Sequence, residues 1–202
     1  MLHKWSSTKI QFQCNTQELI AVASFPIQFD MMQNQIVRAA QAVARTLGAG
    51  HSERMYQKAL AMELQKCKGA SHTMEYHVPI LYEQMNIGGE RADIMVHDDQ
   101  KRAYLIELKA TDASIWRGQK PPAHGDAMPP AHVQILKYVR MLQTCDPVCQ
   151  GYVINFRQRV MYAHDVLAIP CELEIDCFDV GTRAWRFGML SAIADAPIVD
   201  IT

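Results

Sequence analysis

Residues 91–110, R-A-D-I-M-V-H-D-D-Q-K-R-A-Y-L-I-E-L-K-A, hold two β-rich runs, 91–96 and 103–110, joined by the polar hexapeptide H-D-D-Q-K-R. Tyr104, Leu105, Ile106 and Leu108 make the second run apolar enough for a strand near the interior of a sheet, and the polar connection suits a hairpin. Successive strand residues point to opposite faces, so Glu107 and Lys109 project together while Leu108 enters the other layer. A hairpin loop centred near Gln100 sets Asp93 opposite Glu107, on the same face of the neighbouring strand. Two carboxylates and one ammonium are thereby expected to converge.

An acid and a lysine two apart on a strand form an ordinary exposed ion pair in many sheets, contributing about 0 to 1 kcal/mol. The apolar neighbours of Glu107 argue for more, because unpaired charge near a sheet interior is costly and charges kept there commonly have a task. Hard cations such as Mg2+ or Mn2+ take oxygen ligands, one or two carboxylates completed by water and a substrate phosphate. Asp93 and Glu107 suit that donor set. A metal so held lowers the pKa of a bound water and neutralises charge on a phosphodiester, while Lys109 orients the nucleophile or stabilises the transition state. This is the chemistry of phosphodiester hydrolysis.

Working outward, Ile36, Ala40, Val43 and Leu47 recur at helical spacing, with Asp30 or Asn34 as cap and Gly48 and Gly50 as the stop. Tyr56, Leu60, Leu64 and Cys67 trace a second helical face over 52–68, with Ser52 as its cap. Residues 74–83 read as a strand that Pro79 confines to an edge or a bulge, and Gly88-Gly89 is expected to turn the chain. Residues 111–130 contain four prolines and two glycines and read as a long irregular loop, of a kind uncommon unless functional. A third helix is expected over 131–144, then strands over 151–156, 159–164, 173–180 and 184–188. The fold class expected is α/β, a central mixed sheet flanked by helices.

The composition bounds what this fold can be. The 202 residues are 49% apolar and 20% charged, which fits one packed domain. A net charge of −1 does not advertise a polyanion partner, so phosphate binding must be local. The six cysteines are scattered and read as reduced, mostly buried thiols; a zinc site built on Cys145 and Cys149 with His124 or His132 lacks the short paired knuckles of such sites. No apolar run is long enough to span a bilayer and no uninterrupted apolar leader opens the chain. A soluble intracellular protein, cytoplasmic or nuclear, is expected. The acid-poor first stretch with Ser6, Ser7 and Thr8 leaves an organelle address open, without the arginines that would make the case.

Several motifs in order resemble the GxxExxY proteins of the PD-(D/E)XK nuclease superfamily. The signature is Gly50-His51-Ser52-Glu53-Arg54-Met55-Tyr56. Around it, A-A-Q-A-V-A-R-T-L-G-A-G and Y-Q-K-A-L-A-M-E-L are similar to the family's first two helices, R-A-D-I-M-V and Y-L-I-E-L-K-A to its catalytic hairpin, and G-Y-V-I-N-F to the following strand. The resemblance covers roughly residues 36–156. It implies a restriction-endonuclease-like core, with Asp93 and Glu107 as core metal ligands, Glu53 as an added ligand, the Leu108 backbone carbonyl as a further one, and Lys109 as the catalytic lysine. Helical geometry agrees for Glu53, which shares a face with Tyr56 and Leu60; Glu63, two turns on, reads as structural. Gln134 and Tyr138 resemble the Q-x-x-x-Y pair of RecB-type members, which makes Gln134 a candidate to contact metal-bound water or DNA.

Ala92 stands where the superfamily name has proline, the 111–130 loop is longer than the family pattern, and His132 stands one place closer to the glutamine than expected. Trp116, Arg117 and Lys120 in that loop, with Arg91, Tyr56 and Tyr138, are the candidate substrate contacts, an aromatic beside cations being suited to stack a base and meet a phosphate. The resemblance implies a Mg2+- or Mn2+-dependent nuclease acting on nucleic acid, with DNA favoured. The competing reading is an inactive nuclease-fold subunit for binding or assembly. Residues 31–165 are expected to form the nuclease-like domain, preceded by an extension over 1–30 and followed by one over 166–202 packed on the same domain.

Overall fold

The computed structural model describes residues 31–112, 128–158, 171–186 and 192–193. Helix α1, Met31–Leu47, buries Met32, Ile36, Ala40 and Val43 along one face. It ends at Gly48, whose φ of 67° and N–H donated to the Ala44 carbonyl at 3.1 Å form a left-handed terminus. Asn34 lies inside this helix and caps nothing, and Asp30 falls outside the described residues. Helix α2, Glu53–Leu64, buries Tyr56, Gln57, Leu60 and Leu64 and stops short of residue 68. Ser52 has the extended backbone of a cap, but its hydroxyl makes no capping bond; its carbonyl takes the Met55 and Tyr56 N–H groups instead.

Seven strands follow: β1 Ala70–Tyr82, β2 Met85–Asp98, β3 Ala103–Lys109, β4 Val148–Arg157, β5 Glu172–Asp179, β6 Ala184–Arg186 and β7 Ala192–Ile193. They make one sheet in the order β1-β2-β3-β4-β5-β6, with β7 also on β5. Among the described residues only β3 and β4 run parallel, and helix α3, Pro130–Leu142, lies between them in the chain. Parallel neighbours need such a crossover, which is why a helix must stand here. The strands after β4 thus extend the same sheet.

Helices cover both faces. Tyr104, Ile106 and Leu108 of β3, with Tyr152, Ile154 and Phe156 of β4, pack against α1 and α2. Ala103, Leu105 and Val153 pack against Ile135, Tyr138 and Leu142 of α3. Gly151 allows α3 to come so close, because a Cβ there would stand 2.4 Å from Ile135 Cγ2. His132 of α3 meets Asp176 of β5 at 2.9 Å, both buried, so this histidine is tied to the outer strands rather than to a cysteine site.

The expected turn at Gly88-Gly89 is not where the chain reverses. Glu83 and Gln84, at φ 46° and 67°, make the two-residue turn, and Gly88 and Gly89 pair within β2 to Ile80 and Pro79. Two adjacent positive φ values match the twist a tight hairpin needs, and glutamate and glutamine do not advertise them. Gly89 serves closeness instead: a Cβ there would overlap the His77 ring. Pro79 does lie on an edge strand, one residue before a register shift at Ile80/Leu81. Strands 159–164 of the sequence reading lie outside the described residues.

A bend halfway along the β1–β2 hairpin places the site. Glu75 faces Asp93 between the pairs Met74↔Ile94 and Tyr76↔Ala92, and Glu75 has φ 52°. Met74 and Ile94 join the α1–α2 side, whereas Tyr76 and Ala92 join the α3 side. In a regular strand residues two apart share a face, so the hairpin turns over at this bend, with no change of register. The β2–β3 ladder starts at His97↔Ala103 and ends at Ile94↔Ile106. Asp93 and Glu107 therefore stand where the two strands begin to separate.

Candidate active site

The register of β2 on β3 sets Asp93 across from Glu107, as a loop centred near Gln100 requires. Asp93 Oδ2 accepts the Leu108 N–H at 2.7 Å, so a carboxylate replaces the ladder bond at the fork. Glu107, on the α3 side of β3, is 3% exposed. Its Oε1 accepts from Lys109 Nζ at 2.7 Å, while its Oε2 is buried with no hydrogen-bond partner. Glu53, at the first turn of α2 and half exposed, puts Oε1 3.9 Å from the same ammonium. The structure thus brings Glu53, Asp93, Glu107 and Lys109 to one place.

Three residues that the sequence reading passed over hold this place together. Gln57, one residue after the signature tyrosine and 5% exposed, donates through Nε2 to Glu75 Oε1 at 2.8 Å and to the Asp93 carbonyl at 3.0 Å. It pins the bend from the α2 side. Glu75 brings a fourth carboxylate near the fork and lies 4.0 Å from the largely exposed Arg91 guanidinium. The sequence signal for Gln57 was its place on the inward stripe of α2, one turn before Ala61. Asn155, paired in register with Lys109, accepts the Thr111 N–H at 3.2 Å and so holds the chain leaving β3.

Gln134 donates to the Tyr138 hydroxyl at 2.8 Å, and that hydroxyl donates to the Arg91 carbonyl at 2.9 Å. This chain of bonds ties α3 to β2 two residues before Asp93. Tyr138 is 1% exposed and Tyr56 is 0% exposed. Tyr56 stacks on Phe156 with ring centroids 4.5 Å apart, donates to the Gly48 carbonyl and accepts from Gln158. Both tyrosines are therefore walls and braces, with no surface turned to solvent. Gly50, at φ 102°, gives its N–H to Gln158 Oε1, closing the signature loop onto β4. Trp116, Arg117 and Lys120 lie outside the described residues.

The electrostatics follow from crowding carboxylates in a half-buried fork. Burial, then the neighbouring Asp93 charge, pushes the Glu107 carboxyl up to about 7, with Lys109 pulling the other way. Asp93 is also raised, first by burial and then by Glu53 and Glu75, against the Leu108 N–H and Lys109. Burial works against the Lys109 charge, yet Glu107, Glu53 and Asp93 together hold its ammonium above the ordinary lysine range. The site has more negative charge than one lysine neutralises, and repulsion between acids is what a cation relieves.

Among the described residues no three Asp, Glu, His or Cys side chains already stand as a closed cation cage. The Lys109 ammonium lies between Glu107 and Glu53 instead. The donor set still fits a hard divalent ion. It offers carboxylate oxygens from three elements, and the buried, unpartnered Glu107 Oε2 is an acceptor in need of a charge. The cysteines offer no rival: Cys149 Sγ donates to the Ala103 carbonyl at 3.0 Å, and Cys145 is exposed beside the end of α3.

A family model of the PD-(D/E)XK nuclease superfamily matches residues 30–120. That span runs from α1 through β3 and contains Glu53, Asp93, Glu107 and Lys109, so the chain is similar to that superfamily in the region that builds the fork. The mixed sheet with helices on both faces is consistent with the restriction-endonuclease-like fold. No curated protein and no solved structure matches the chain. No helix of the described residues is long and apolar enough to cross a membrane.

Proposed function

We propose that the protein is a divalent-metal-dependent nuclease that hydrolyses phosphodiester bonds, with DNA as substrate. The observation that carries this reading is the buried Glu107 carboxylate, one oxygen without a partner, set beside Asp93 and touched by Lys109. Asp93, Glu107, the Leu108 carbonyl and Glu53 would hold Mg2+ or Mn2+. The ion, when bound, activates water and offsets charge on the phosphate.

The residues of the chain then have separate tasks. Hydrolysis forms a bond from a water oxygen to phosphorus and breaks one P–O ester bond; a proton leaves the water and one reaches the departing alkoxide. Lys109, kept protonated by three carboxylates, donates to a phosphate oxygen as charge builds there. Asp93 is fixed by the Leu108 N–H, so it needs little reorganisation. Gln134, held by Tyr138 on the α3 side, faces water or the nucleic-acid backbone, and Arg91 supplies exposed positive charge next to Asp93. The GxxExxY and RecB-like likeness of the motifs supports the same assignment.

The test is purified protein with Mg2+ or Mn2+ on labelled single- and double-stranded DNA and RNA, beside Glu107→Ala and Lys109→Ala. Cleavage by the wild type that both substitutions abolish is the expected result. Cleavage undiminished in both variants removes these residues from the reaction.

A further inference from the structure

Beyond the fork, the β1–β2 hairpin continues as an arm in which every residue from 81 to 89 is exposed. Leu81, Tyr82, Met85 and Ile87 on this arm are between 48% and 64% exposed, and Val133 on α3 is 48% exposed. Between arm and helix lies a groove of about 900 Å3, with Pro79, Ile80, Leu136 and Met141 in its lining and Lys137 and Arg140 as its charged residues. Single exposed apolar side chains are ordinary, but a contiguous set beside a groove marks an interaction surface.

Charge decides the occupant. Lys137 is paired with Glu90 on the arm. Arg140 has no ion-pair partner among the described residues, and neither has Glu83 at the hairpin turn. One face therefore carries an apolar ridge tipped by an unpaired acid and an apolar trough rimmed by an unpaired base. Such a face is complementary to itself, because a two-fold axis sets ridge into trough twice over. A nucleic acid would meet the acid of Glu83 at the ridge, and a short foreign peptide in the trough would leave the ridge in water. Strand addition along β1 is disfavoured, since Pro79 has no N–H to give and the register shifts one residue later.

We propose that this face is the interface of a two-fold homodimer, in which the hairpin arm of each copy seats in the groove of the other, with Glu83 against Arg140 of the second copy. The contact is made by side chains and stands apart from the fork, so it does not depend on the nuclease reading.

Sedimentation velocity of the full chain from about 1 to 100 µM tests it, the range in which transient dimers dissociate. The wild type is expected to be dimeric at the upper end. Ile87→Asp, exposed and not needed by the core, is expected to leave the melting temperature unchanged and weaken dimerisation at least tenfold. Glu83→Arg and Arg140→Glu each weaken it, and the double reversal restores it, as coupled partners require. A wild type that stays monomeric throughout overturns the proposal, as does a dimer indifferent to Ile87→Asp or a double reversal that rescues nothing. Duplex DNA bound by a monomer through Ile87 overturns it in favour of a nucleic-acid surface.

Discussion

Glu107 carries the largest strain at the fork, because its carboxyl is pushed up to about 7 while an unfolded chain gives it an ordinary value. A carboxyl raised in the folded state binds more protons there than when unfolded, so the contribution of Glu107 to stability is full below about pH 4.5 and is lost as pH rises through 7. The shift corresponds to about 3 kcal/mol for this one group in metal-free protein. Urea melts in chelator at pH 5 and pH 8.5 should show the loss in the wild type and much less of it in Glu107→Gln. Equal pH dependence in the two proteins would remove the strain from Glu107. The role proposed for Lys109 makes a different prediction, since it belongs to the transition state: Lys109→Met should lower cleavage by at least about 100-fold while Mn2+ affinity stays within a few-fold. Calorimetric titration beside single-turnover cleavage separates the two quantities.

Elements explain why those residues meet. The alternation in 103–110 and the polar centre of the hairpin were enough to set Asp93 against Glu107, and the 3.6-residue stripes were enough to find α1, α2 and α3. What the sequence did not disclose is the bend at Glu75. Nothing about Glu75 announces a φ of 52°, and Glu83-Gln84 is an unusual pair for a tight turn, so the glycines drew the turn to the wrong place. Gln57 was marked only by its place on the inward stripe of α2, which does not tell which strand groups it bonds. Gln57→Leu should cost about 1 kcal/mol, the range for a hydrogen bond lost where one acceptor, Glu75, can turn to water, and should weaken Mn2+ binding with Lys109 untouched. Loss of stability with undiminished metal affinity would make Gln57 a brace only. Gly151→Val should be worse than Gly151→Ala in thermal melts, since Ile135 already lies against the bare backbone.

At the level of the whole molecule, the sheet does not end where the family match ends. β5 pairs with β4 over eight positions and contributes Leu173, Ile175 and Cys177 to the α1–α2 core. Those strands were legible as β-rich but not as integral, because pairing partners far apart in sequence leave no local mark. A chain truncated after residue 158 should lose cooperative unfolding by circular dichroism; a truncated form that melts like the full chain would show the outer strands to be dispensable. Divalent ion at saturating concentration should raise the melting temperature of the wild type and do little for Glu107→Ala, because only a ligand preferring the native state stabilises it.

Helix α3 has one more consequence. Its inward residues Gln134 and Tyr138 bond toward Arg91 and the fork, while Val133, Lys137 and Arg140 border the groove. Ile135 is already seated on Gly151, which leaves the helix no slack toward the sheet. One helix thus lines the groove with its outer stripe and holds the strand of Asp93 with its inner one, and the groove and the fork share a single rigid wall.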